Sequence, residues 1–138
     1  SGPSMATVCL DNNFVSDYLA SAEYTRTFLS GFGPDDDVLL PTIVWFEALT
    51  PAFRTGEGRT LSRVRSALSG FQTVDFDYDA AEEAATIRGE LLDRGQPLGA
   101  PDVLIAGIAR HHDAELVTAD GAFERVSDLS IQNPKADH

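Results

Sequence analysis

A chain of 138 residues, 43% of them hydrophobic, is long enough to bury one core and too short for two ordinary domains. It has no signal-peptide pattern and no apolar run near the roughly 18 residues of a membrane-spanning helix, which predicts a cytoplasmic protein; its single cysteine excludes an internal disulfide and a cysteine-based zinc site. The formal net charge of −12 disfavours passive binding to a phosphate backbone, so an RNA or DNA substrate would require an added cation.

Two further features concern the start of the chain and its charge. Residues 1–4 resemble a scar left by tag removal, and we expect the native domain to begin at Met5. Nine of the ten basic residues are arginines and the tenth is Lys135, a lysine-poor and acid-rich composition that is typical of adaptation to high salt.

Short apolar runs and helix signals alternate along the first half of the chain. Residues 7–10 predict a strand that is buried on both faces, with Asp11 directly after it and a helix from Asn12 to about Leu19. Further elements are predicted as a helix at 24–29, a strand at 38–40, and helices at about 41–53 and 60–68.

The second half continues the alternation. Residues 71–76 predict a strand, and Asp79 with Glu82 three positions later resembles a capping box that would begin a helix ending near Arg94. Pro101 suits the first position of a helix to about residue 112, and a strand follows at 115–118. Strands separated by helices predict an α/β sandwich around a mostly parallel sheet.

Two acidic residues follow predicted strands. Asp11 would project from the carboxyl end of a central strand, where functional groups of such sheets gather, but it would equally serve as the N-cap of the next helix. Asp120 comes two residues after the last predicted strand, and in the sequence Thr118-Ala119-Asp120-Gly121 it is also an ordinary turn residue.

Two other acids fall on apolar helix faces. Glu47 comes four residues after Ile43 and three after Val44, which predicts that it faces protein and needs an arginine, a metal or a raised pKa. Asp102 shares a face with Ile105 and lies in the first turn of its helix, where the helix dipole would stabilise its ionised form. A structural ion pair for Glu47 and a dipole-stabilising role for Asp102 are the alternatives to a functional site.

If the four carboxylates converge, they require a counter-charge. Two charges about 4 Å apart repel by about 4 kcal/mol at an effective dielectric constant near 20. Oxygen ligands without cysteine suit Mg²⁺ or Mn²⁺, and one or two such ions polarise a phosphodiester and generate hydroxide for in-line attack.

Several stretches of the chain together carry a family resemblance. They are LDNN at 10–13, Glu47 in the helix after the second strand, GQPLGAPDVLIA at 95–106 and LVTADGAF at 116–123. In this order and spacing they resemble the PIN-domain ribonucleases, and among these the VapC-type toxins of toxin–antitoxin pairs, over nearly all of residues 5–131.

The resemblance implies a single PIN-like nuclease domain over residues 5–133, followed by a short tail at 134–138. It implies a three-layer α/β/α fold with a mostly parallel central sheet of four to five strands. It implies a metal-dependent endoribonuclease that cleaves structured RNA by metal-activated water, with one or two Mg²⁺ or Mn²⁺ ions. The residues that would bind the metal and carry catalysis are Asp11, Glu47, Asp102 and Asp120, supported by Asn13 and Thr118. The implied partners are RNA, a small VapB-type antitoxin and a second copy of the chain in a homodimer.

The chain departs from the family pattern at two positions and leaves two alternative functions open. Asn12 stands where threonine or another small residue is usual, and Ala122 where a second acid often precedes the phenylalanine, which bears on the number and geometry of bound metals. The alternatives are a PIN nuclease of RNA processing without an antitoxin, and a non-catalytic PIN-like interaction module.

Basic residues are few, so their clustering is informative. Four arginines within twelve positions are candidates for RNA contact, with a solvated helix surface as the alternative: Arg54, Arg59, Arg63 and Arg65. Arg88 shares a predicted helix face with Ala84 and Leu91, so it is a candidate to point toward the sheet edge and support an acid or a phosphate. The alternative is an arginine whose apolar stem is buried while its charge reaches solvent.

Overall fold

A five-stranded sheet forms the centre of the protein; the structure, a computed structural model, describes residues 5–54 and 60–136. The strands are β1 (Thr7–Leu10), β2 (Asp37–Pro41), β3 (Gln72–Val74), β4 (Glu115–Val117) and β5 (Ile131–Gln132). Their order across the sheet is β3-β2-β1-β4-β5, and each neighbouring pair is parallel. The predicted α/β class with a parallel sheet is confirmed.

Six α-helices and two 3₁₀ helices connect the strands within the described residues. The α-helices are α1 (Asn12–Leu19), α2 (Glu23–Leu29), α3 (Thr42–Leu49), α4 (Leu61–Leu68), α5 (Tyr78–Asp93) and α6 (Ala100–His111). The 3₁₀ helices span Thr50–Phe53 and Gly121–Arg125. The helix predicted to reach Phe53 therefore ends as an α-helix at Leu49, because Pro51 has no N–H with which to continue it.

The strand order reverses beside β1. From β1 the chain moves outward through β2 to β3, then returns to pair β4 with the other side of β1. Right-handed crossovers in opposite directions put the intervening helices on opposite faces of the sheet, which gives three layers. The reversal leaves a crevice outside the carboxyl ends of β1 and β4, the usual ligand position in open parallel sheets.

Two predicted boundaries shift by one or two residues. The N-cap of α5 is Asp77, whose side chain accepts a hydrogen bond from the Ala80 amide at 2.9 Å, so the capping box predicted at Asp79 was wrong. Asp79 lies instead in the first turn of α5. The N-cap of α6 is Gly99, which makes Pro101 the second helical residue rather than the first.

The core lies between the sheet and the helices. Val8, Cys9 and Leu10 of β1 are completely buried, as predicted for a strand covered on both faces. Burial raises the pKa of the Cys9 thiol, which is typical of an inert structural cysteine. Helices α5 and α6 approach so closely that a Cβ added at Gly107 would lie 2.6 Å from the Cβ of Ala84. Among the described residues, none of the helices has the length and apolar character needed to cross a membrane.

Candidate active site

Asp11 occupies the first position after β1, at the point where the strand order reverses. Its side chain is 3% exposed, and one carboxylate oxygen, Oδ1, accepts a hydrogen bond from the Phe14 amide at 2.8 Å. Its own amide donates to the Val117 carbonyl of β4 at 3.2 Å. Asp11 is thus both the N-cap of α1 and a buried acid at the carboxyl edge of the sheet, so the two alternatives that its sequence left open coexist.

Thr118 connects two acidic residues. It is 1% exposed and follows β4 directly. Its hydroxyl donates to the carboxylate of Asp11 and accepts the backbone amide of Asp120 at 3.0 Å. A threonine hydroxyl is one donor and a double acceptor, so a single side chain can hold both groups.

Asp120 begins the 3₁₀ helix that follows β4. Its Oδ1 accepts a hydrogen bond from the Ala122 amide at 2.9 Å, as expected of a turn residue, and the residue as a whole is exposed. Its charge acts on both Asp11 and Asp102. Asp120 therefore adds a charge at the rim of the crevice, not in its depth.

Asp102 lies in the first turn of α6 and is half-buried. Burial raises the pKa of its carboxyl above the usual 3.8, and the charge of Asp120 raises it further. The helix amino terminus favours the ionised form at this position. Burial is the larger of the two causes that raise this pKa.

The pKa of Asp11 is also raised, with burial as the largest cause. The hydrogen bonds from Thr118 and the Phe14 amide lower this pKa, and the charges of Asp102 and Asp120 raise it. Three carboxylates from separate parts of the chain thus act on one another electrostatically. Such coupled, shifted acids in a crevice are typical of functional sites.

Glu47 occupies a neighbouring position on α3. It lines a pocket of about 160 Å³ together with three polar residues of α1, which are Asn12, Asn13 and Ser16. Glu47 is only half-buried, because the inward face of α3 is formed by Val44 and Ala48 and the acid flanks it. The prediction that Glu47 faces packed protein was therefore only partly correct, and Asp11 is the most buried of the four acids.

Comparison with protein families identifies the chain. The family model described as the PIN domain matches residues 8–129. The chain belongs to the PIN domain family. The match runs from the second residue of β1 to beyond the 3₁₀ helix at Gly121–Arg125, and it includes all four acids.

One similar curated protein is the tRNA(fMet)-specific endonuclease VapC of Shigella flexneri, which is 36% identical over 76 residues. The alignment covers 54% of this chain and 58% of the relative, so the matched region is a little over half of that protein.

Two solved structures agree with this PIN fold over almost its whole length. One is VapBC2 from Rickettsia felis bound to a promoter DNA fragment, with 22% identity, a TM-score of 0.83, and coverage of 92% of this chain and 98% of that one. The other is DNA-bound VapBC from Salmonella typhimurium, with 25% identity, a TM-score of 0.81, and coverage of 95% and 99%.

The side chains around the acids carry the oxygen ligands that hard divalent cations prefer. The acids offer carboxylate oxygens, and the neighbouring pocket adds amide and hydroxyl oxygens from Asn12, Asn13 and Ser16. Within residues 5–54 and 60–136, no three side chains of the His, Cys, Asp and Glu types lie close enough to hold a metal ion as a preformed cage. Mg²⁺ usually keeps several waters and takes one or two carboxylates, so the residues present fit such an ion.

The arginines predicted to contact RNA differ in their surroundings. Arg59 falls outside the described residues. Arg63 of α4 lines a pocket of about 150 Å³ with Arg26 of α2, and Arg65 is exposed on α4. Arg54 is exposed after the 3₁₀ helix at Thr50–Phe53 and has interactions of its own. Arg26 was missed in the sequence because it stands 37 positions before Arg63, and only the packing of α2 and α4 brings the two to one pocket.

Arg88 does not adopt the predicted orientation. It is exposed on α5, whereas Ala84, Ile87 and Leu91 form the buried face of that helix. The expectation that Arg88 points toward the sheet edge was wrong, because the inward stripe runs through Ile87 instead. A supporting role of Arg88 at the acids stays a prediction.

Proposed function

We propose that this PIN domain is a divalent-metal-dependent endoribonuclease, the toxin of a VapC-type toxin–antitoxin pair acting in the cytoplasm. The observation that carries the proposal is the mutual repulsion of Asp11, Asp102 and Asp120 in the crevice outside the carboxyl ends of β1 and β4. Repelling carboxylates held together by the fold favour binding of a cation. The similarity to the endonuclease from Shigella flexneri supports the same chemistry.

Asp11, Glu47, Asp102 and Asp120 are the proposed metal-binding and catalytic acids. When bound, one or two Mg²⁺ or Mn²⁺ ions would supply Lewis-acid stabilisation of the phosphodiester and an activated water. The chain itself supplies orientation: the Phe14 amide and the Thr118 hydroxyl fix the carboxylate of Asp11, and the same hydroxyl holds the backbone of Asp120. We therefore propose that Thr118 supports the metal site by orienting Asp11 and Asp120. We propose a similar role for Asn13, which lines the same pocket as Glu47.

RNA contact is proposed for the arginines near α4. Arg63 and Arg26 line one pocket from two different helices, an arrangement that suits bidentate contact with a phosphate. The proposal also includes Arg65 and Arg54, which are exposed, and Arg59, which lies outside the described residues. In a protein with a net charge of −12 these groups would limit repulsion where the RNA backbone approaches.

The proposed protein partners are a VapB-type antitoxin and a second copy of the chain. The VapBC complexes that share the fold support an antitoxin. Phe46 and Phe53 are 66% and 73% exposed, and large exposed aromatic side chains near one another in the chain are typical of protein interfaces. The similarity to the tRNA(fMet)-specific endonuclease of Shigella flexneri favours a transfer RNA as the substrate.

The test is RNA cleavage by Asp102→Asn in the presence of Mn²⁺. The substitution keeps the size of the side chain and removes its charge, and we expect cleavage to fall at least about a hundredfold. Asp79→Asn is the matched control, because Asp79 also lies in the first turn of a helix but is exposed on α5. Equal cleavage by Asp102→Asn and the unsubstituted protein would disprove the metal-site assignment. No cleavage by the unsubstituted protein, together with no Mn²⁺ binding, would favour a non-catalytic interaction module.

A further inference from the structure

Arg125 connects the two segments that carry Asp102 and Asp120. It ends the 3₁₀ helix that Asp120 begins, and its guanidinium Nη1 donates to the Pro97 carbonyl at 3.1 Å. Pro97 lies in the loop between α5 and α6. The contact joins positions 28 residues apart, with five residues from Pro97 to Asp102 on one side and five from Arg125 to Asp120 on the other.

A second arginine contact strengthens the connection from the opposite direction. Arg94, the C-cap of α5, donates from Nη2 to the Arg125 carbonyl at 2.6 Å. The loop that follows Arg94 is anchored to α5 by the Gln96 amide, which donates to the Leu91 carbonyl at 2.8 Å. The Pro97 carbonyl is thus presented by a loop that is itself hydrogen-bonded to a long helix.

The Pro97 loop passes directly into the helix that carries Asp102. Gly99 is the N-cap of α6, and its carbonyl accepts the Val103 amide at 3.1 Å. Only Leu98 separates Pro97 from this cap. A shift of the Pro97 carbonyl is therefore transmitted to the first turn of α6 over a short stretch of chain.

We infer that Arg125 is a positioning residue for the metal site, which holds the turn of Asp120 and the first turn of α6 at a fixed separation against the repulsion between their carboxylates. The inference rests on the proposed function and extends it. Like charges on two separate segments move apart unless a contact between those segments opposes them. The paired contacts of Arg125 and Arg94 supply that opposition, and they lie outside the ligand set.

Removal of the Arg125 guanidinium should have a local effect. The 3₁₀ helix and the residue after it remain packed through Phe123 and Val126, which are 2% and 5% exposed. Arg110 of α6 also holds the following segment, by donating from Nη1 to the Ser127 carbonyl at 3.0 Å. We therefore expect a variant of Arg125 to fold, with an altered acid site rather than a lost domain.

The sign of the effect distinguishes positioning from simple electrostatics. Removing a positive charge near acids makes the site more negative, so a purely electrostatic role of Arg125 predicts tighter cation binding in Arg125→Gln. A positioning role predicts weaker binding, because the carboxylates relax apart and no longer share one ion. Removing groups that orient metal ligands typically weakens metal binding by about 10- to 100-fold.

The experiment measures Mn²⁺ affinity by calorimetry on the full chain at about pH 7.5, without RNA. We expect Arg125→Gln to bind Mn²⁺ about tenfold more weakly, and Arg125→Lys, which keeps the charge and one donor for the Pro97 carbonyl, to lie between it and the unsubstituted protein. Lys135→Gln removes the same charge from the exposed tail and should not weaken binding. Arg125→Gln binding as tightly as the unsubstituted protein, or more tightly, would overturn the inference.

Hydrogen exchange in the metal-free protein gives a second readout that does not depend on metal binding. The amides of Gln96 and Val103 should exchange faster in Arg125→Gln than in Lys135→Gln, because both report on the loop that holds Pro97. Unchanged exchange at both amides would also overturn the inference. If the unsubstituted protein bound no Mn²⁺, the proposed function would fail, and exchange would still decide whether Arg125 fixes the loop.

Discussion

Asp102→Asn should make the metal-free protein more stable while it removes the response to metal. In the folded protein the ionised form of Asp102 is disfavoured by burial and by the charge of Asp120. Two charges about 4 Å apart repel by roughly 1 kcal/mol in water and 4 kcal/mol at an effective dielectric constant of 20. Because Asp102 is half-exposed and Asp120 exposed, the low end applies, and we expect a gain of about 1 kcal/mol.

For a domain of this size, 1 kcal/mol corresponds to about 3–5 °C in Tm. Thermal unfolding in EDTA at about pH 7.5 should therefore give a higher Tm for Asp102→Asn, and added Mn²⁺ should raise the Tm of the unsubstituted protein but not that of the variant. Asp79→Asn should lower the Tm slightly, because Asp79 occupies the equivalent first-turn position on α5 while exposed to solvent.

The pH dependence of the stability gain tests the same substitution from another direction. The pKa of Asp102 is raised on folding, so its charge destabilises the fold above that raised pKa and has no effect once the group is protonated. The gain from Asp102→Asn should be full at neutral pH and fade as the pH falls through the raised pKa toward the ordinary value of 3.8. A metal-free Tm that is lower in the variant at neutral pH, or a gain that grows on acidification, would refute the reasoning.

Two further predictions concern RNA contact and helix packing. The double substitution Arg26→Gln with Arg63→Gln, made in the Asp102→Asn background, should weaken the salt dependence of RNA binding measured by fluorescence anisotropy. The slope of log affinity against log salt should become less negative by about 0.7 for each phosphate that is no longer neutralised, and Lys135→Gln is the control. An unchanged slope would mean that both arginines belong to the solvated surface. Gly107→Ala should destabilise the protein by about 2 kcal/mol in urea unfolding, because its Cβ would lie 2.6 Å from that of Ala84, and equal stability would mean that α5 and α6 separate easily.

The chain order of the first four strands and the six α-helices was predictable because each of these elements carries a local signal. The two-residue strand β5 and the 3₁₀ helix at Gly121–Arg125 were not located. The burial of the acids was not predictable, because it depends on what covers them. Asp11 is buried where β1, its neighbour β4 and the start of α1 come together. Nothing near residue 11 in the sequence indicates that β4 will pair with β1. Glu47 follows the helical periodicity of its neighbours, yet that periodicity does not reveal where the packed face of α3 ends.

The contacts around Arg125 and Arg26 illustrate the same limit. Arg125 bonds to a backbone carbonyl 28 residues earlier, and a carbonyl carries no sequence signature. Arg26 and Arg63 line one pocket only because the fold brings residues of α2 and α4 together at the end of α1. Thr118, by contrast, was identified from the family pattern, and its two hydrogen bonds now give that position a physical reason.

On the proposed function, the repulsion within the site and the acidity of the whole chain have a common consequence. A phosphodiester approaching Asp11, Asp102 and Asp120 meets negative charge, and the overall charge of −12 adds to that barrier. A cation at the acids removes their mutual repulsion and also attracts the phosphate, so metal binding and RNA binding should be positively coupled. An antitoxin arginine placed at the same acids would relieve the same repulsion between the carboxylates. It would therefore compete with the metal for the site, because the repulsion that favours metal binding also favours binding of the guanidinium.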